Sequence, residues 1–286
     1  MNSPIIRIGI DRRGDRLFAA RVESGAGRNE IKALFRFDDF SAVSPELLDG
    51  GRISLSVPDS KVIVKRLVME PGDSELKSRI AFELCQLLME EEKNLLVDSV
   101  DTGRSDQFLG LAIRKESFRS IAERVLGRSV NGSGEIDSRM RAAALADGFL
   151  KFCKPVGGEL IGLIDVCAGE ISVVFVYRGK VIDLSHIPAR KIDLNSEGRL
   201  EQAAIELKTL INFRLDAFFR GGISLPLSAL VVIGDGIDDA TRRSLAGQFP
   251  VEIKAAEFNT GFLPERYSQQ NLPLEKYLVP LGLAAN

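Results

Sequence analysis

The chain opens with three short segments in which hydrophobic and polar residues alternate, separated by turn residues. The segments cover residues 5–11, 17–23 and 30–37, with Gly14 in the first break and residues 25–29 forming the second. Alternation with a period of two is typical of strands with one buried face, and breaks of this length favour hairpins. We therefore predict three consecutive strands at the start of the chain.

A similar arrangement occurs in the second half. Residues 160–166 and 171–177 predict two strands joined by a tight turn, and a third strand follows the Arg178-Gly179 turn. Because the three-strand start occurs twice, at 4–37 and 159–184, the pattern favours an α/β fold of two related halves. The short segment 155–158 lies between a predicted helix and a new strand and is the best candidate for a domain boundary.

Between and after these triplets, apolar residues recur at either strand or helix spacing. Further strands are predicted at 53–57, 61–68, 95–100, 107–113, 230–233 and 251–254. An amphipathic helix carries a stripe formed by Leu76, Ile80, Leu84, Leu87 and Leu88. Other helices are predicted at about 118–127, 137–149, 197–219 and 239–246.

Composition excludes several classes of protein. The formal net charge of −2 gives no general attraction to nucleic acid or to an anionic membrane. The three cysteines show no metal-ligand spacing, and one histidine rules out a multi-histidine metal site. No apolar run approaches the roughly 20 residues that a membrane helix needs. A soluble, cytoplasmic protein without direct membrane insertion is expected.

Candidate chemistry lies where strands end in acidic or glycine residues. Asp11 ends the first predicted strand and Asp165 ends the first strand of the second triplet, where Gly169 follows in the turn. Gly234 and Gly236 follow another apolar strand. A carboxylate at a strand end beside a small-residue turn suits contact with a phosphate or its metal ion. Taken one at a time, each is more simply explained as an ordinary hairpin or strand-to-helix turn.

With these turns placed, nearly the whole chain resembles the actin-like ATPase superfamily, and within it the PilM family of type IV pilus assembly proteins. FtsA-like proteins are more distant relatives by the same comparison. The similarity depends on the order of several segments, none of them specific alone: residues 8–11, 54–83, 95–100, 135–147, 163–181, 206–219 and 282–284.

The resemblance implies an actin-like (ribonuclease H-like, duplicated) two-lobe fold with an inserted subdomain. The first lobe would comprise residues 1–157, with the subdomain at about 59–130, and the second lobe residues 158–286. The turns after Asp11 and Asp165 would face each other across a cleft.

The resemblance also implies a site for ATP and magnesium in that cleft. Asp11 and Asp165 match the carboxylates that position the metal in the family. The cofactor-binding set would be Asp11, Gly14, Asp165, Gly169, Gly234 and Gly236.

The phosphate loops depart from the family pattern. Arg12 and Arg13 follow Asp11 and displace Gly14, although glycine is what allows the backbone to approach a phosphate closely. In the second loop Cys167 takes a glycine position and Glu170 a hydroxyl position, which places a carboxylate beside a triphosphate. We therefore expect ATP hydrolysis to be absent or very slow and assign no catalytic residue. The two arginines are expected on the surface.

Three functions remain open at this point. The first is a cytoplasmic actin-like scaffold of a type IV pilus or secretion assembly, with a degenerate nucleotide site. The second is an active, ATP-binding and ATP-hydrolysing PilM-like assembly protein. The third is a small-molecule kinase of the same superfamily, for which the sequence shows no substrate motif.

By resemblance to PilM-like proteins, the partner would be the N-terminal segment of an inner-membrane pilus or secretion protein, and self-association is possible. The segment would bind in a groove between the first lobe and the subdomain, walled by the 61–68 strand and the 76–88 helix. Such binding would place a cytoplasmic protein at the periphery of the inner membrane.

Overall fold

The computed structural model describes residues 5–25, 28–38, 51–69, 76–103, 106–127, 136–156, 160–167, 170–188, 205, 208–209, 212–213, 216, 226–268 and 272–286. Within these ranges the chain forms two five-stranded sheets and one three-stranded sheet. The predicted helix at 197–219 lies almost entirely outside the described residues. The six positions of it that are described are helical and exposed.

The first sheet contains the three predicted N-terminal strands. In chain order its strands are β1 (Ile5–Arg13), β2 (Arg16–Gly25), β3 (Arg28–Phe37), β4 (Arg52–Val57) and β8 (Ile136–Met140). Their spatial order is β3-β2-β1-β4-β8. The first three strands pair antiparallel, and β4 pairs parallel with both β1 and β8. We call this sheet, with the helices on it, the first lobe.

The second sheet repeats this arrangement. Its strands are β9 (Leu160–Cys167), β10 (Glu170–Tyr177), β11 (Lys180–Pro188), β12 (Ala229–Gly234) and β13 (Glu252–Lys254). Their spatial order is β11-β10-β9-β12-β13, again with an antiparallel triplet followed by parallel strands. We call this sheet the second lobe. The two related halves expected from the sequence are present as two sheets of one topology.

The third sheet forms a subdomain inserted between β4 and β8. Its strands are β5 (Ile63–Val68), β6 (Leu95–Asp101) and β7 (Gln107–Arg114), in the spatial order β5-β7-β6. Helix α1 (Leu76–Leu88) packs on one face through Ile80 and Leu84, against Leu67 and Ala112 of the sheet. The opposite face turns toward the lobes and buries Leu109 and Leu111. Helix α2 (Lys115–Leu126) follows β7.

Two helices lie between the five-stranded sheets and join their cores. Helix α3 (Arg141–Phe152) and helix α6 (Leu278–Ala284) belong to one apolar cluster that also contains residues of β2, β9, β10 and β12. They cross closely: a Cβ added to Gly148 would lie 1.9 Å from the Leu278 carbonyl oxygen. Helix α6 thus packs closely on α3, and it also packs on strands β1, β2 and β4 of the first sheet.

The remaining elements are short. They are helices α4 (Asp239–Ala246) and α5 (Glu265–Ser268) and four 3₁₀ turns at Asp59–Lys61, Glu92–Asn94, Thr260–Phe262 and Leu274–Tyr277.

Two sequence-based expectations for local structure are wrong. The helix predicted at 137–149 begins later, because residues 136–140 pair with β4 as strand β8 and only Arg141 starts the helix. Leu87, assigned to the apolar stripe of α1, is 51% exposed, and Ala81 is buried instead. In both places the tertiary contacts, not local periodicity, decided the outcome.

Candidate functional site

The structure brings the two predicted carboxylates together between the lobes. Asp11 lies near the end of β1 and Asp165 near the end of β9, the equivalent strands of the two sheets. Both side chains are fully buried. A single nitrogen, Nη2 of Arg141, hydrogen-bonds to both of them, at 3.1 Å to Asp11 and 2.8 Å to Asp165. The two strand ends therefore face each other as the resemblance implied.

Arg13 is the second cation of this group. Strand β1 continues past Asp11, so that Arg13 is still a strand residue and its side chain lies on the same face of the sheet, two positions on. Its guanidinium donates to both oxygens of Asp165, at 3.1 and 2.7 Å, and its Nε lies 3.4 Å from Asp11. Arg13 is 3% exposed. The expectation that this arginine is a surface residue is wrong.

Arg141 reaches the same carboxylates from the start of helix α3. Its Nε donates to Asp11 at 3.2 Å, in addition to the two bonds from Nη2. Burial alone would lower the pKa of this guanidinium, but the carboxylates of Asp11 and Asp165 raise it well above its ordinary value. For Arg13 burial also opposes the charge, and Asp165 contributes most to the net rise of its pKa. Both arginines stay positively charged.

We call Asp11, Arg13, Arg141 and Asp165 the arginine cluster. It contains two positive and two negative side chains, so its charges balance within the protein. Ser56 of β4 completes it by donating to Asp11 at 2.6 Å. Arg141 Nη1 has no hydrogen-bond partner among the described residues. The cluster joins β1 and α3 to β9 by direct ion pairs.

A second polar contact joins the lobes beside the cluster. Glu170 of β10 accepts hydrogen bonds from the backbone N–H groups of Asp59 and Ser60, at 3.0 and 3.1 Å. Asp59 in turn accepts from the N–H of Ala142 at 2.8 Å and from the hydroxyl of Ser172 at 2.5 Å. We call this the Asp59 contact. The side chain of Glu170 therefore holds the backbone of the turn at residues 59–61 against the second lobe.

The Asp59 carboxyl is the group with the largest resolved shift among the acidic residues of this region. Its pKa is raised from 3.8 to about 7, mainly by burial and also by the nearby carboxylate of Glu170. Hydrogen bonds from Ser172 and Ala142 act in the opposite direction. The Asp59 carboxyl therefore keeps its proton to a higher pH than an ordinary aspartate does.

The predicted glycines that the structure describes make none of these contacts: Gly14 and Gly236 lie in turns and Gly234 ends strand β12. Gly14 occupies the β1–β2 turn with a φ of 60°, and its carbonyl accepts from Arg12. Gly234 has a φ of 123°, and a Cβ there would lie 2.1 Å from the Val166 carbonyl oxygen. Between Gly234 and Gly236, Asp235 pairs with Lys276 at 3.3 Å. Gly169 lies outside the described residues.

Sequence reasoning missed Arg141 and Asp59. Arg141 begins an otherwise alanine-rich helix, and a charged residue buried in such a stretch has no signature in a single sequence. Asp59 follows Pro58 in a short turn that reads as an ordinary exposed loop. The available signals were the displacement of Gly14 by Arg13 and the carboxylate at position 170, but Arg13 was predicted to lie on the surface.

Two grooves flank the inserted subdomain. The lobe groove, about 360 Å³, lies between the subdomain and the first lobe and includes Val62, Leu96, Ile113, Ile136, Met140 and Leu283. The helix groove, about 570 Å³, lies on the other face of the sheet and includes Lys77, Ile80, Lys93, Leu95, Val97 and Lys115. The expectation that the 61–68 strand and the 76–88 helix wall the lobe groove is therefore wrong. Helix α1 and strand β5 contribute no residue to it, and Val62, which precedes β5, is the one residue of that predicted strand in its lining.

Within the described ranges, no helix is both long and apolar enough to cross a bilayer. In the same part of the chain, no group of three or more His, Cys, Asp or Glu residues is arranged to hold a metal ion.

Comparison with solved structures identifies the architecture. A chain of the PilM–PilN type IV pilus biogenesis complex is similar over 98% of this chain and 97% of that chain, with 17% identity and a TM-score of 0.63. A Bacteroides thetaiotaomicron protein with an actin-like ATPase fold and unknown function matches over 87% and 90% of the two chains, with 11% identity and a TM-score of 0.50. The cytoplasmic domain of EpsL, an inner-membrane component of the Vibrio cholerae type II secretion system, matches at 13% identity, 99% and 96% coverage and a TM-score of 0.49.

At these identities the similarity shows the fold, and this fold is the actin-like ATPase fold. No family model matches the sequence. The search of curated proteins also gave no match.

Proposed function

We propose that this protein is a cytoplasmic actin-like scaffold of a type IV pilus or secretion assembly, which holds an inner-membrane partner and does not use nucleotide. The arginine cluster is the observation that carries the proposal. The structural similarity to the PilM–PilN complex supports the choice of assembly.

The residues of the cleft do not fit a magnesium nucleotide. Both carboxylates that would position the metal are paired with guanidinium groups, at 2.7 to 3.2 Å. A magnesium ion would have to displace two buried cations, each of which would then be left without its counter-ions. Arg13 also occupies the position at which, in the family's first phosphate loop, a glycine lets the backbone approach a phosphate. Glu170 adds a negative charge nearby. Phosphoryl transfer depends on positioning and charge stabilisation, and this cleft supplies neither.

The lobe groove is the proposed site for the partner. It is an open furrow between the subdomain and the first lobe, with an apolar floor and polar side chains such as Arg139 at its rim. An extended segment can be held in such a furrow by main-chain pairing and by pockets for alternate side chains, with no catalytic residue. The PilM–PilN complex is a case in which a protein of this fold is bound to a second protein. Binding to an inner-membrane protein would place the chain at the membrane periphery.

We also propose limits for the structural units: residues 1–157 for the first lobe, about 59–130 for the subdomain and 158–286 for the second lobe. The C-terminal helix α6 is the exception to these limits, because it packs on the first sheet.

A calorimetric titration with ATP and magnesium tests the proposal directly. We expect no binding heat at millimolar nucleotide and no rise in the melting temperature, since a ligand that bound the folded state would stabilise it by mass action. The Asp11→Ala variant is the matched control, because it removes a carboxylate that the alternative function would need.

Magnesium-dependent binding that disappears in Asp11→Ala would overturn the nucleotide-free scaffold. It would favour an active assembly ATPase instead. Phosphorylation of a small-molecule acceptor would favour the kinase alternative.

A further inference from the structure

Strand β6 has an open edge. It pairs with β7 on one side, and no other strand in the described ranges pairs with its second side. Unpaired N–H and C=O groups along a strand edge are ready to pair with another extended chain. This edge borders both faces of the subdomain sheet, the face that carries helix α1 and the face that is turned toward the lobes.

Two residues of β6 have backbone groups that point away from β7. The N–H of Ser99 donates to the carboxylate of Asp98 at 2.8 Å, so it is not part of the β6–β7 ladder and points to the open edge. In an antiparallel pair the direction alternates from residue to residue, and the β6–β7 register is continuous. The N–H and C=O of Val97 therefore also point to the open edge. The side chain of Asp98 covers the edge at Ser99, two residues away from the outward groups of Val97.

Val97 lies where the two grooves meet. Val97 and Asp98 border both the helix groove and the lobe groove. A strand added at this edge would direct alternate side chains to opposite faces of the sheet. One set would enter the helix groove, whose floor is formed by Ile80, Ala81 and Leu95.

The helix groove favours a negatively charged occupant. Among its charged residues, Lys93 pairs with Glu91 at 2.7 Å and Asp98 pairs with Arg139 at 3.0 Å. Lys77 and Lys115 have no ion pair in the part of the chain that the structure describes, and they face a single remaining carboxylate, Glu92. The two lysines also stand in the first turns of α1 and α2, where the helix dipole adds positive potential.

We propose that an extended, acidic segment of a partner protein adds as a fourth strand to the open edge of β6 and places alternate side chains in the helix groove. This surface adjoins the partner site in the lobe groove, with which it shares Val97 and Asp98, and it extends the proposed function to a second protein contact. Its apolar floor and lysine rim select a segment in which apolar and acidic residues alternate.

The probe is a fluorescent nine-residue peptide of alternating valine and glutamate, measured by anisotropy against the full chain. The control peptide has lysine in place of each glutamate. We expect the acidic peptide to bind at least about tenfold more tightly than the basic one, with an affinity that falls as salt rises. The double variant Lys77→Glu/Lys115→Glu should reverse this preference.

Val97→Pro tests strand pairing separately from charge. Proline removes the outward N–H of Val97 but no bond of the β6–β7 ladder, so the subdomain should remain folded, as melting curves would verify. We expect binding of the acidic peptide to fall at least about tenfold in Val97→Pro. The matched variant Val97→Thr keeps the N–H and should bind like the parent chain.

The proposal is wrong if the acidic peptide does not bind, if the basic peptide binds equally well, or if Val97→Pro binds like Val97→Thr. Concentration-dependent dimerisation that Val97→Pro abolishes would also overturn it, because a second copy of the chain would then occupy the edge. If the acidic peptide does not bind at this edge while the partner segment still binds in the lobe groove, this inference fails and the proposed function stands.

Discussion

Arg13 and Asp165, 152 residues apart in the sequence, form a two-bonded ion pair across the lobe interface, with distances of 3.1 and 2.7 Å. The guanidinium thus lies directly beside both oxygens of this carboxylate. A parallel pair of bonds from arginine to a carboxylate is strong and geometrically specific. In this protein the contact between the lobes is therefore maintained by side chains of the chain itself.

Replacing Arg13 should destabilise the protein. In Arg13→Met the carboxylate of Asp165 loses one buried counter-ion, and removal of one partner from a buried pair costs about 3–5 kcal/mol. We expect a loss of that size in the free energy of unfolding, measured by urea denaturation. The control is Arg16→Ala, an arginine on the next strand whose pair with Asp38 is exposed. Exposed pairs contribute about 0–1 kcal/mol.

The double variant Arg13→Met/Asp165→Asn distinguishes charge from packing. It removes one charge of each sign and leaves Arg141 paired with Asp11. We expect it to regain more than half of the stability lost in Arg13→Met. A double variant less stable than Arg13→Met would show that the ion pair is not the cause.

The Asp59 contact should make stability depend on pH. The pKa of Asp59 is about 7 in the folded protein, against an ordinary value of 3.8. Between these values the folded state holds a proton that the unfolded state has lost, so stability falls as pH rises from about 4 to about 7. The full difference is on the order of 4 kcal/mol, from 1.36 kcal/mol for each pKa unit.

Asp59→Asn should remove this dependence, because the amide can accept from Ala142 and donate to Ser172 without carrying a charge. The measurement is the free energy of unfolding of both proteins from pH 4 to pH 8. We expect the free energy of unfolding of the variant to increase relative to that of the parent chain as the pH rises. Parallel curves for the two proteins would exclude Asp59 as the titrating group.

Gly148 should not tolerate a side chain. Its added Cβ would lie 1.9 Å from the backbone oxygen of Leu278, and backbone cannot move as a side chain can. We expect Gly148→Ala to lower the free energy of unfolding by about 3 kcal/mol, the upper part of the range for overpacked sites. Gly247→Ala is the control, since its nearest contact is 3.5 Å away and its φ of −68° suits alanine. A similar effect at both positions would contradict the close crossing of α3 and α6.

The lobe groove should be needed for partner binding. In Leu96→Arg a charged side chain would enter the groove from β6, and we expect at least about tenfold weaker binding of the partner's N-terminal segment. Binding would be measured by anisotropy with labelled N-terminal peptides of inner-membrane pilus and secretion proteins. Ser78→Arg, on the helix-groove side, should bind normally. Equal binding by Leu96→Arg would place the partner elsewhere.

Removing the subdomain tests the same proposal at a coarser level. Deleting about residues 63–126 spares the Asp59 contact and should abolish recruitment to membranes that contain the partner. Recruitment that survived the deletion would show that the lobe groove is the wrong site.

Much of the fold could be predicted from the sequence because it is encoded locally. Alternating residues placed the strand triplets of both lobes, and their repetition indicated two related halves before any contact was known. Asp11 and Asp165 were found for the same reason: each stands at the end of an apolar strand, and equivalent strand ends of a duplicated fold meet at one interface.

The partners of those carboxylates could not be predicted. The local sequence places Arg13 after a strand, where a long charged side chain normally reaches solvent. Its burial depends on three things distant in sequence: the second lobe, helix α3 with Arg141, and Ser56 of β4. The same holds for Asp59, whose environment is built by Glu170 and Ser172 of the other lobe. The sequence by itself determined the strands, the duplication and the positions of the two carboxylates, because hydrophobic periodicity is a local property. Only the tertiary structure decided that arginines fill the cleft between them, because the balance of a buried charge depends on every group packed around it.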